Sequence, residues 1–248
     1  MEKRFLKDSQ IVITGVLFAA ATITSSYIFS QGFLQFKKLS TELINVTGSA
    51  EKRIISDSIV WRLSFSKRAP VMTEAYQSLA GNLKQVREYL LSKGVREDEM
   101  AADSVQTEVI YAKNEKGMDT NTVEAYKLSQ EIQVYSKDVE KIAEISRQAT
   151  ELIPLGVELI SRSPEYFYTR LGELKIEMLR EAARDAKKRA EEIASASGNK
   201  VSLVRSAKMG VFQITPANSY DFSDYGSNDT TSYEKKVTAV VKADFAIQ

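Results

Sequence analysis

The sequence predicts an α+β protein: an N-terminal transmembrane helix followed by a two-layer domain of mostly antiparallel or mixed sheet with about three helices. Three observations predict this class. No charged residue occurs from Ser9 to Phe36. Beyond this stretch, several segments alternate apolar with polar residues, as strands with one buried face do. Between them, three segments repeat apolar residues at helical spacing. A division into two sub-lobes is left open.

The uncharged stretch is predicted to be an uncleaved membrane anchor. Ile11–Phe29 alone can cross a hydrocarbon core of about 30 Å at about 1.5 Å per residue. Two alternatives remain: a cleaved signal peptide, for which Ala19–Ala21 offers a small-residue site, and a buried core helix, which the polar residues between Thr22 and Ser26 permit. Aromatic and basic residues would mark one interface: Tyr27, Phe29, Phe33, Phe36, Lys37 and Lys38.

The predicted organisation is a short cytoplasmic tail over residues 1–9, the anchor over 10–36, a linker over 37–42 and a folded domain over 43–248. The tail carries the basic residues Lys3, Arg4 and Lys7. They favour a cytoplasmic N-terminus, so a single pass would leave the bulk of the chain extracytoplasmic. Lys37 and Lys38 on the other side weaken this asymmetry.

Composition excludes several classes of function. The chain has no histidine and no cysteine, which removes Ser-His-Asp and Cys-His sites, imidazole and thiolate metal ligands, disulfides and a lipidated cysteine. The net charge of +1 comes from the first eight residues, so the rest of the 248-residue chain is balanced and predicts no nucleic-acid binding. We assign no catalytic, metal-binding or cofactor-binding residue and expect a non-enzymatic protein.

The folded domain is predicted to begin with two strands and a helix. Leu43–Thr47 has strand character, and Gly48 predicts a bend or bulge. In the second strand, residues predicted to be buried alternate with largely polar ones: Ile59, Trp61, Leu63 and Phe65 with Val60, Arg62, Ser64 and Ser66. Pro70 then opens a helix that ends at Lys93-Gly94.

The middle of the chain predicts a hairpin and a second helix. Lys113–Thr122 is a polar connection between two alternating strands. Ser136 can cap a helix that runs to Ile153, before Pro154, and Leu155–Ile160 follows as a short strand.

A long helix is predicted from Ser163 to Asn199. Ser163, Pro164 and Glu165 form its start signal, and Gly198-Asn199 its stop. The second half of its inner face is nearly all alanine, so this half can approach a sheet or another helix closely. That face consists of Phe167, Leu171, Leu174, Met178, Ala182, Ala186, Ala190, Ile193 and Ser197.

Two strands and one loop complete the prediction. Val201–Val211 alternates as a strand, and the segment from Gln213 to Lys236 is polar and lacks apolar periodicity, which predicts a long mobile loop. The last strand alternates strictly at Val237, Ala239, Val241, Ala243, Phe245 and Ile247.

Three groups of residues resemble the SIMPL-domain proteins, a bacterial envelope family of unknown function. The first is Val46-Thr47-Gly48-Ser49-Ala50-Glu51 with Ser56-Asp57 ahead of an alternating strand. The second is Ala125–Gln130, continuing to Val134 and Asp138. The third is the helix with Ala182, Ala186, Arg189, Ala190 and Ala194 before Ser197-Gly198. The resemblance covers about residues 43–248.

The resemblance implies an extracytoplasmic α+β domain, often tied to envelope or oxidative stress, with a tendency to oligomerise. It transfers no catalytic residue. Two positions depart from the family's pattern: Ser56 stands where a proline is common, and Ala125 where a glycine is. With the anchor, it implies a single-pass protein of the bacterial inner membrane.

Three candidate sites are weighed against ordinary structure. Glu97, Asp98, Glu99 and Asp103 form an acidic cluster that could bind a cation or act as acid and base, although such a cluster is typical of a solvated turn. The run Asp221, Ser223, Tyr225, Gly226, Asn228 and Asp229 is a poor calcium loop, because Ser232 stands where a bidentate glutamate belongs. Amphipathic aromatics in this loop could instead contact a partner: Tyr220, Phe222, Tyr225 and Tyr233.

Three functions follow for testing. The preferred one is assembly, in which strand edges or the Gln213–Lys236 loop bind a second copy or an envelope partner. The second is a module that binds a small molecule or cell-wall fragment between two lobes. The third is an enzyme that works without histidine.

Overall fold

The structure is a computed structural model that describes the backbone of residues 2–41, 43–219 and 221–248. It describes the side chains of residues 13–34, 43–219 and 221–248. The side chains predicted to flank the anchor, those of Lys3, Arg4, Lys7, Phe36, Lys37 and Lys38, lie outside this set, and so does Tyr220.

The described chain contains four α-helices and eleven β-strands. The helices are α1 (Glu2–Thr41), α2 (Met72–Ser92), α3 (Val139–Gln148) and α4 (Leu171–Ala196). The strands are β1 (Leu43–Ile55), β2 (Ser58–Ala69), β3 (Met100–Ala102), β4 (Gln106–Lys113), β5 (Asp119–Ser136), β6 (Glu158–Ser161), β7 (Glu165–Phe167), β8 (Val201–Met209), β9 (Gln213–Pro216), β10 (Ser227–Asn228) and β11 (Glu234–Ile247).

The strands form two sheets. The six-stranded sheet has the order β3-β5-β2-β6, with β4 also paired to β5 and β7 to β2, and its pairs are antiparallel. The five-stranded sheet has the order β1-β11-β9-β10, with β8 also paired to β11, and β10 runs parallel to β9. The α+β class with mixed sheet and three helices beyond α1 is confirmed.

The chain divides into two compact units. The terminal unit contains the chain up to Ser49, Arg180–Gly210 and Val240–Gln248. The central unit contains Ala50–Leu179 and Val211–Ala239. Three elements, β1, α4 and β11, contribute residues to both units.

The apolar part of α1 is a candidate membrane span. Ile13–Leu34 covers 22 residues with a mean hydropathy of 1.5, and none of it is buried. A core helix of a water-soluble protein would be mostly buried, so this exposure argues against the core-helix alternative. The helix continues to Thr41, through the residues predicted to be a linker, where no proline or glycine interrupts it.

The core of the central unit lies on one face of β2 and β5. Trp61 on β2 is fully buried, and its indole N–H donates to the Ser161 hydroxyl at 3.1 Å, so its predicted core role is confirmed. Helices α2 and α3 supply the second layer. The cluster includes Ile59, Leu63, Phe65, Leu79, Val86, Leu90, Leu128, Ile132, Val134, Ile142 and Ile145.

The core of the terminal unit depends on close contact between β1 and α4. A Cβ atom built on Gly48 would lie 2.3 Å from the Ala182 carbonyl oxygen and 2.3 Å from the Ala186 amide nitrogen. Backbone atoms of the helix therefore occupy the space of a side chain. The predicted close approach of the alanine face is confirmed. Gly48 does not end the strand, because β1 continues past it to Ile55, and the bend or bulge at Gly48 stays a prediction.

A hydrogen bond joins the same two elements. The Ser49 amide donates to the Asp185 carboxylate at 2.9 Å, and Arg189 Nε donates to the same carboxylate oxygen at 2.8 Å. The bond from Ser49, with the nearby Arg189 guanidinium, holds the pKa of the Asp185 carboxyl below its usual value.

The long helix starts later than predicted. Glu165–Phe167 is a strand, β7, paired with Ser58–Val60, and α4 begins only at Leu171. Long-range partners decide this: the Tyr166 amide donates to the Thr230 carbonyl at 2.7 Å, and the Asp57 amide to the Phe167 carbonyl at 3.0 Å. The local start signal at Ser163-Pro164 cannot reveal these partners.

A buried lysine ties β7 to the rest of the central unit. Lys235 is 3 % exposed, and its ammonium donates to the carbonyls of Tyr166 (2.6 Å) and Asp229. Burial lowers the pKa of Lys235, with Asp229 opposing that shift. These bonds satisfy the charge inside the protein.

The predicted loop from Gln213 to Lys236 is structured at both ends. Gln213–Thr215 is buried in β9, which pairs with residues 235–238 of β11. This strand could not be predicted from its polar sequence, which lacks apolar alternation. It is buried because it pairs with β11. Between β9 and β10, the described residues 217–219 and 221–226 form the remaining loop.

The second helix is shorter than predicted. Helix α3 ends at Gln148. A 3₁₀ helix, Ala149–Leu155, follows it directly and contains Pro154. The N-cap of α3 is Asp138 rather than Ser136, and the Asp138 carboxylate accepts from the Lys141 amide at 3.4 Å. The Ser136 hydroxyl instead donates to Glu99 at 2.6 Å.

Gly48→Ala is expected to lower the free energy of unfolding by about 2 kcal/mol or more, because the new methyl group meets helix backbone that cannot move aside alone. Gly81→Ala is the control: Gly81 lies within α2, and nothing lies within 4 Å of the new Cβ. It should stabilise by about 0.5–1 kcal/mol. Urea unfolding of both variants checks this, and equal effects would contradict the packing argument.

Asp185→Asn is expected to destabilise the chain at pH 7 by about 1 kcal/mol, since the neutral amide is a weaker acceptor for Ser49. The folded pKa of Asp185 is depressed, so its contribution is present above about pH 4 and is lost as the pH falls through the folded pKa. The difference from the natural chain should therefore shrink at pH 3, as measured by urea midpoints.

Glu181→Gln is the matched control, because Glu181 is an exposed carboxylate on the same helix. It should change stability little at either pH. A destabilisation by Asp185→Asn that is equal at pH 7 and pH 3 would refute the role of the charge.

Candidate functional site

Within the described residues, strand β8 of the terminal unit has a free edge. The left-handed turn at Gly198 ends α4, and the backbones of Lys200 and Gln248 exchange hydrogen bonds of 2.8 and 2.9 Å. Strand β8 then runs antiparallel to β11. In the described chain no strand pairs with its other edge, so its outward amides and carbonyls are free to pair with another strand.

Three large apolar side chains of β8 are exposed to solvent. Leu203, Val204 and Met209 are 66 %, 54 % and 59 % exposed. The register sets Val204 and Met209 opposite Phe245 and Val241 of β11, which are buried. Residues opposite each other in a pair share a face of the sheet, so the apolar face continues past its buried part onto β8. Exposed apolar surface of this kind is typical of interaction sites.

Strand β8 also carries basic side chains. Lys208 lies directly opposite Lys242, both are exposed, and β8 also carries Arg205. Like charges opposite each other in a pair are destabilising, and a lysine on an edge strand discourages unselective pairing. The β8 edge therefore favours a strand that brings carboxylates.

The predicted acidic cluster does not form one site. Asp98 binds Arg96 at 2.9 and 3.1 Å, and Glu97 pairs with Arg87. The Arg96 guanidinium lowers the pKa of Asp98. Glu99 accepts from Ser136. Among the described residues, no three acidic side chains are grouped to hold a metal ion. Asp98, Glu97 and Glu99 are thus engaged by Arg96, Arg87 and Ser136, respectively, and not by a shared ligand site.

The carboxylates of the 221–229 segment are also engaged locally. Asp221 accepts from the Ser219 hydroxyl at 2.8 Å, and Asp229 accepts from the amide and hydroxyl of Thr231, each at 2.8 Å. Burial raises the pKa of Asp229, but hydrogen bonds from Ser232 and Thr231 outweigh it and lower the value overall. Asp229 therefore orders its own turn.

The aromatic residues of this segment separate into two groups. Tyr233 packs against Tyr166 with ring centroids 5.9 Å apart, so it belongs to the interior of the central unit. Phe222 and Tyr225 are 67 % and 97 % exposed and remain available for contact. Tyr220 lies outside the described residues.

The residues that carry the family resemblance have structural roles. Because Gly48 has no side chain, the backbone of α4 can pack directly against β1. The Asp57 carboxylate accepts hydrogen bonds from the amide and hydroxyl of Thr169, just ahead of α4, at 2.7 and 2.8 Å. Ser56 donates its amide to the Tyr233 carbonyl at 3.0 Å, a bond that proline could not make. Serine in place of the family's common proline at position 56 thus permits an additional backbone hydrogen bond.

Sequence reasoning missed the openness of β8. Its alternation predicted a strand, but nothing local to Val201–Val211 shows that one flank lacks a neighbour. It also missed a polar depression on the β2–β5 sheet around Ser64, Ser66 and Ser129. The serines on the polar face of β2 were a signal for it.

Comparison with models of protein families gives a match over most of the chain. The family model described as SIMPL, protein of unknown function (DUF541), matches residues 44–245, which run from the start of β1 almost to the end of β11 and exclude α1. No curated protein matches the chain. Since the match covers most of the chain and includes Gly48, Asp57 and the alanine face of α4, the protein belongs to the SIMPL family.

Proposed function

We propose that this SIMPL-family chain is a membrane-anchored, extracytoplasmic and non-catalytic protein of the bacterial inner membrane that acts by self-association. The β8 edge is the observation that carries the proposal: in the described chain, this nine-residue strand has one edge without a partner strand, and it carries exposed apolar side chains. A carboxylate-bearing strand of another envelope protein is the second candidate partner.

The anchoring part of the proposal rests on α1. Its 22-residue span, with a mean hydropathy of 1.5, is long enough for a bilayer, and aromatic side chains at Tyr27, Phe29 and Phe33 suit one interface. A signal sequence near the N-terminus can meet the same criteria of length and hydropathy. The family's extracytoplasmic character and the basic N-terminal tail support the proposed orientation.

The non-catalytic part rests on the chemistry of the side chains. The chain has neither histidine nor cysteine. The lowered pKa values of Asp98, Glu151 and Asp185 arise from neighbouring hydrogen bonds and cations at surfaces. Lys235 has a lowered pKa, but it is enclosed and bound to backbone carbonyls. These are structural roles.

The charges of β8 support head-to-tail association over a symmetric pair. An antiparallel pairing of two β8 strands centred on Arg205 would set this residue opposite its own copy, and like charges opposite each other are destabilising. Pairing with a different edge avoids this. Heterologous contacts of this kind produce rings or filaments.

Lys208→Glu is expected to raise the unfolding free energy by a few tenths of a kcal/mol, because it removes the repulsion from Lys242, while lowering the mass of the assembly. The measurement is light scattering of the full chain in detergent at several concentrations, with urea unfolding alongside. Because stability rises, loss of the oligomer could not be attributed to unfolding.

Lys116→Glu is the matched control, since Lys116 is exposed in the β4–β5 hairpin. It should leave the mass unchanged. A second comparison replaces Phe222 and Tyr225 with serine. A natural chain that is monomeric at every concentration overturns self-association, and dissociation by the Phe222 and Tyr225 changes alone places the contact in the loop.

The anchor predicts that the full-length chain stays in the membrane pellet after an alkaline wash, because a spanning helix is held by its buried apolar area. A chain that starts at Thr41 should be released. N-terminal sequencing of the mature protein separates the alternatives: a new N-terminus just after Ala21 would show a cleaved signal peptide instead.

A further inference from the structure

A polar depression lies on the face of the β2–β5 sheet opposite the core. It has a volume of about 290 Å³ and is partly open to solvent. Ser66 on β2 lies directly opposite Ser129 on β5, and Ser64 opposite Glu131. Small side chains at neighbouring sheet positions leave space that long ones around them enclose, among them Lys127, Ile160 and Arg162.

The floor of the depression offers hydrogen-bonding groups that the protein does not use. The hydroxyls of Ser64 and Ser129 make no hydrogen bond within the described chain, and that of Ser66 has a long one of 3.4 Å to Glu158. Each hydroxyl can both donate and accept. In a half-buried setting, such groups gain most from a partner that does both.

Glu131 adds an acceptor to this floor. Its side chain is 20 % exposed, and the nearest cations, Arg62 and Arg162, lie 4.0 and 3.7 Å from its oxygens, too far for hydrogen bonds. Its charge is therefore compensated while its lone pairs are free. A neutral donor suits this state better than a further cation.

The rim balances charge as well. Lys127 and Arg162 face the depression with Asp103 and Glu131, so neither a net anion nor a net cation is favoured. The volume is near the lower limit of small-molecule pockets, about 300–1,000 Å³. The charge balance and the volume favour a compact ligand without net charge, and the serine hydroxyls with Glu131 favour one with several hydroxyl groups.

We propose that the depression around Ser64, Ser66, Ser129 and Glu131 binds a single sugar ring, with neighbouring sugar hydroxyls donating to Glu131 and exchanging hydrogen bonds with Ser64 and Ser129. The site lies within the central unit and does not use the β8 edge, so it stands or falls independently of self-association.

The test titrates the full chain with glucose and N-acetylglucosamine, and with glycine and sulfate for comparison. A polyoxyethylene detergent is used, because a glycoside detergent would itself supply sugar. Saturation-transfer NMR reports binding and its affinity. At least one sugar should bind with a dissociation constant in the millimolar range, and the Ser64→Ala/Ser129→Ala double variant should bind it about tenfold more weakly.

Ser195→Ala is the matched control, because the Ser195 hydroxyl lies at the end of α4 and bonds its own helix. It should bind like the natural chain. Equal sugar binding by the double variant, no sugar binding at all, or binding of glycine or sulfate alone would each overturn the proposal.

Discussion

The contact of Gly48 with the backbone of α4 is the constraint on which the terminal unit depends. The Ala182 carbonyl and the Ala186 amide stand where a side chain of β1 would be, so glycine on the strand and alanine on the helix are required together. The Asp185 carboxylate then binds the next amide of the strand. Packing and hydrogen bonding thus select the same register, which explains why these residues carry the family resemblance.

The central unit relies on polar contacts between segments far apart in the chain. Lys235 binds carbonyls of Tyr166 and Asp229, and Asp57 binds Thr169 ahead of α4. Each contact satisfies a group that would be costly to bury alone. Together they hold β7 and the turn before β11 in place, although neither segment has an apolar pattern of its own.

The two proposed sites arise from opposite properties of the sheets. At β8 the apolar face extends onto a strand with a free edge, which suits another strand. On β2 and β5 the polar face holds short side chains beside long ones, which leaves a depression for a small ligand. The β8 site would bind through backbone hydrogen bonds, and the depression would bind through hydroxyl and carboxylate groups. Since the two sites use different residues, a single chain can carry both.

The sequence by itself determined the apolar span, the core face of β2, the alanine face of α4 and the alternation of β11, because local periodicity records which side of an element is buried. Tertiary structure decided the rest. Residues 165–167 became a strand despite a helix start signal, and polar Gln213–Thr215 became buried, because their partners lie elsewhere in the chain. The free edge of β8 and the serine depression also depend on neighbours, and a neighbour's absence leaves no mark on local sequence.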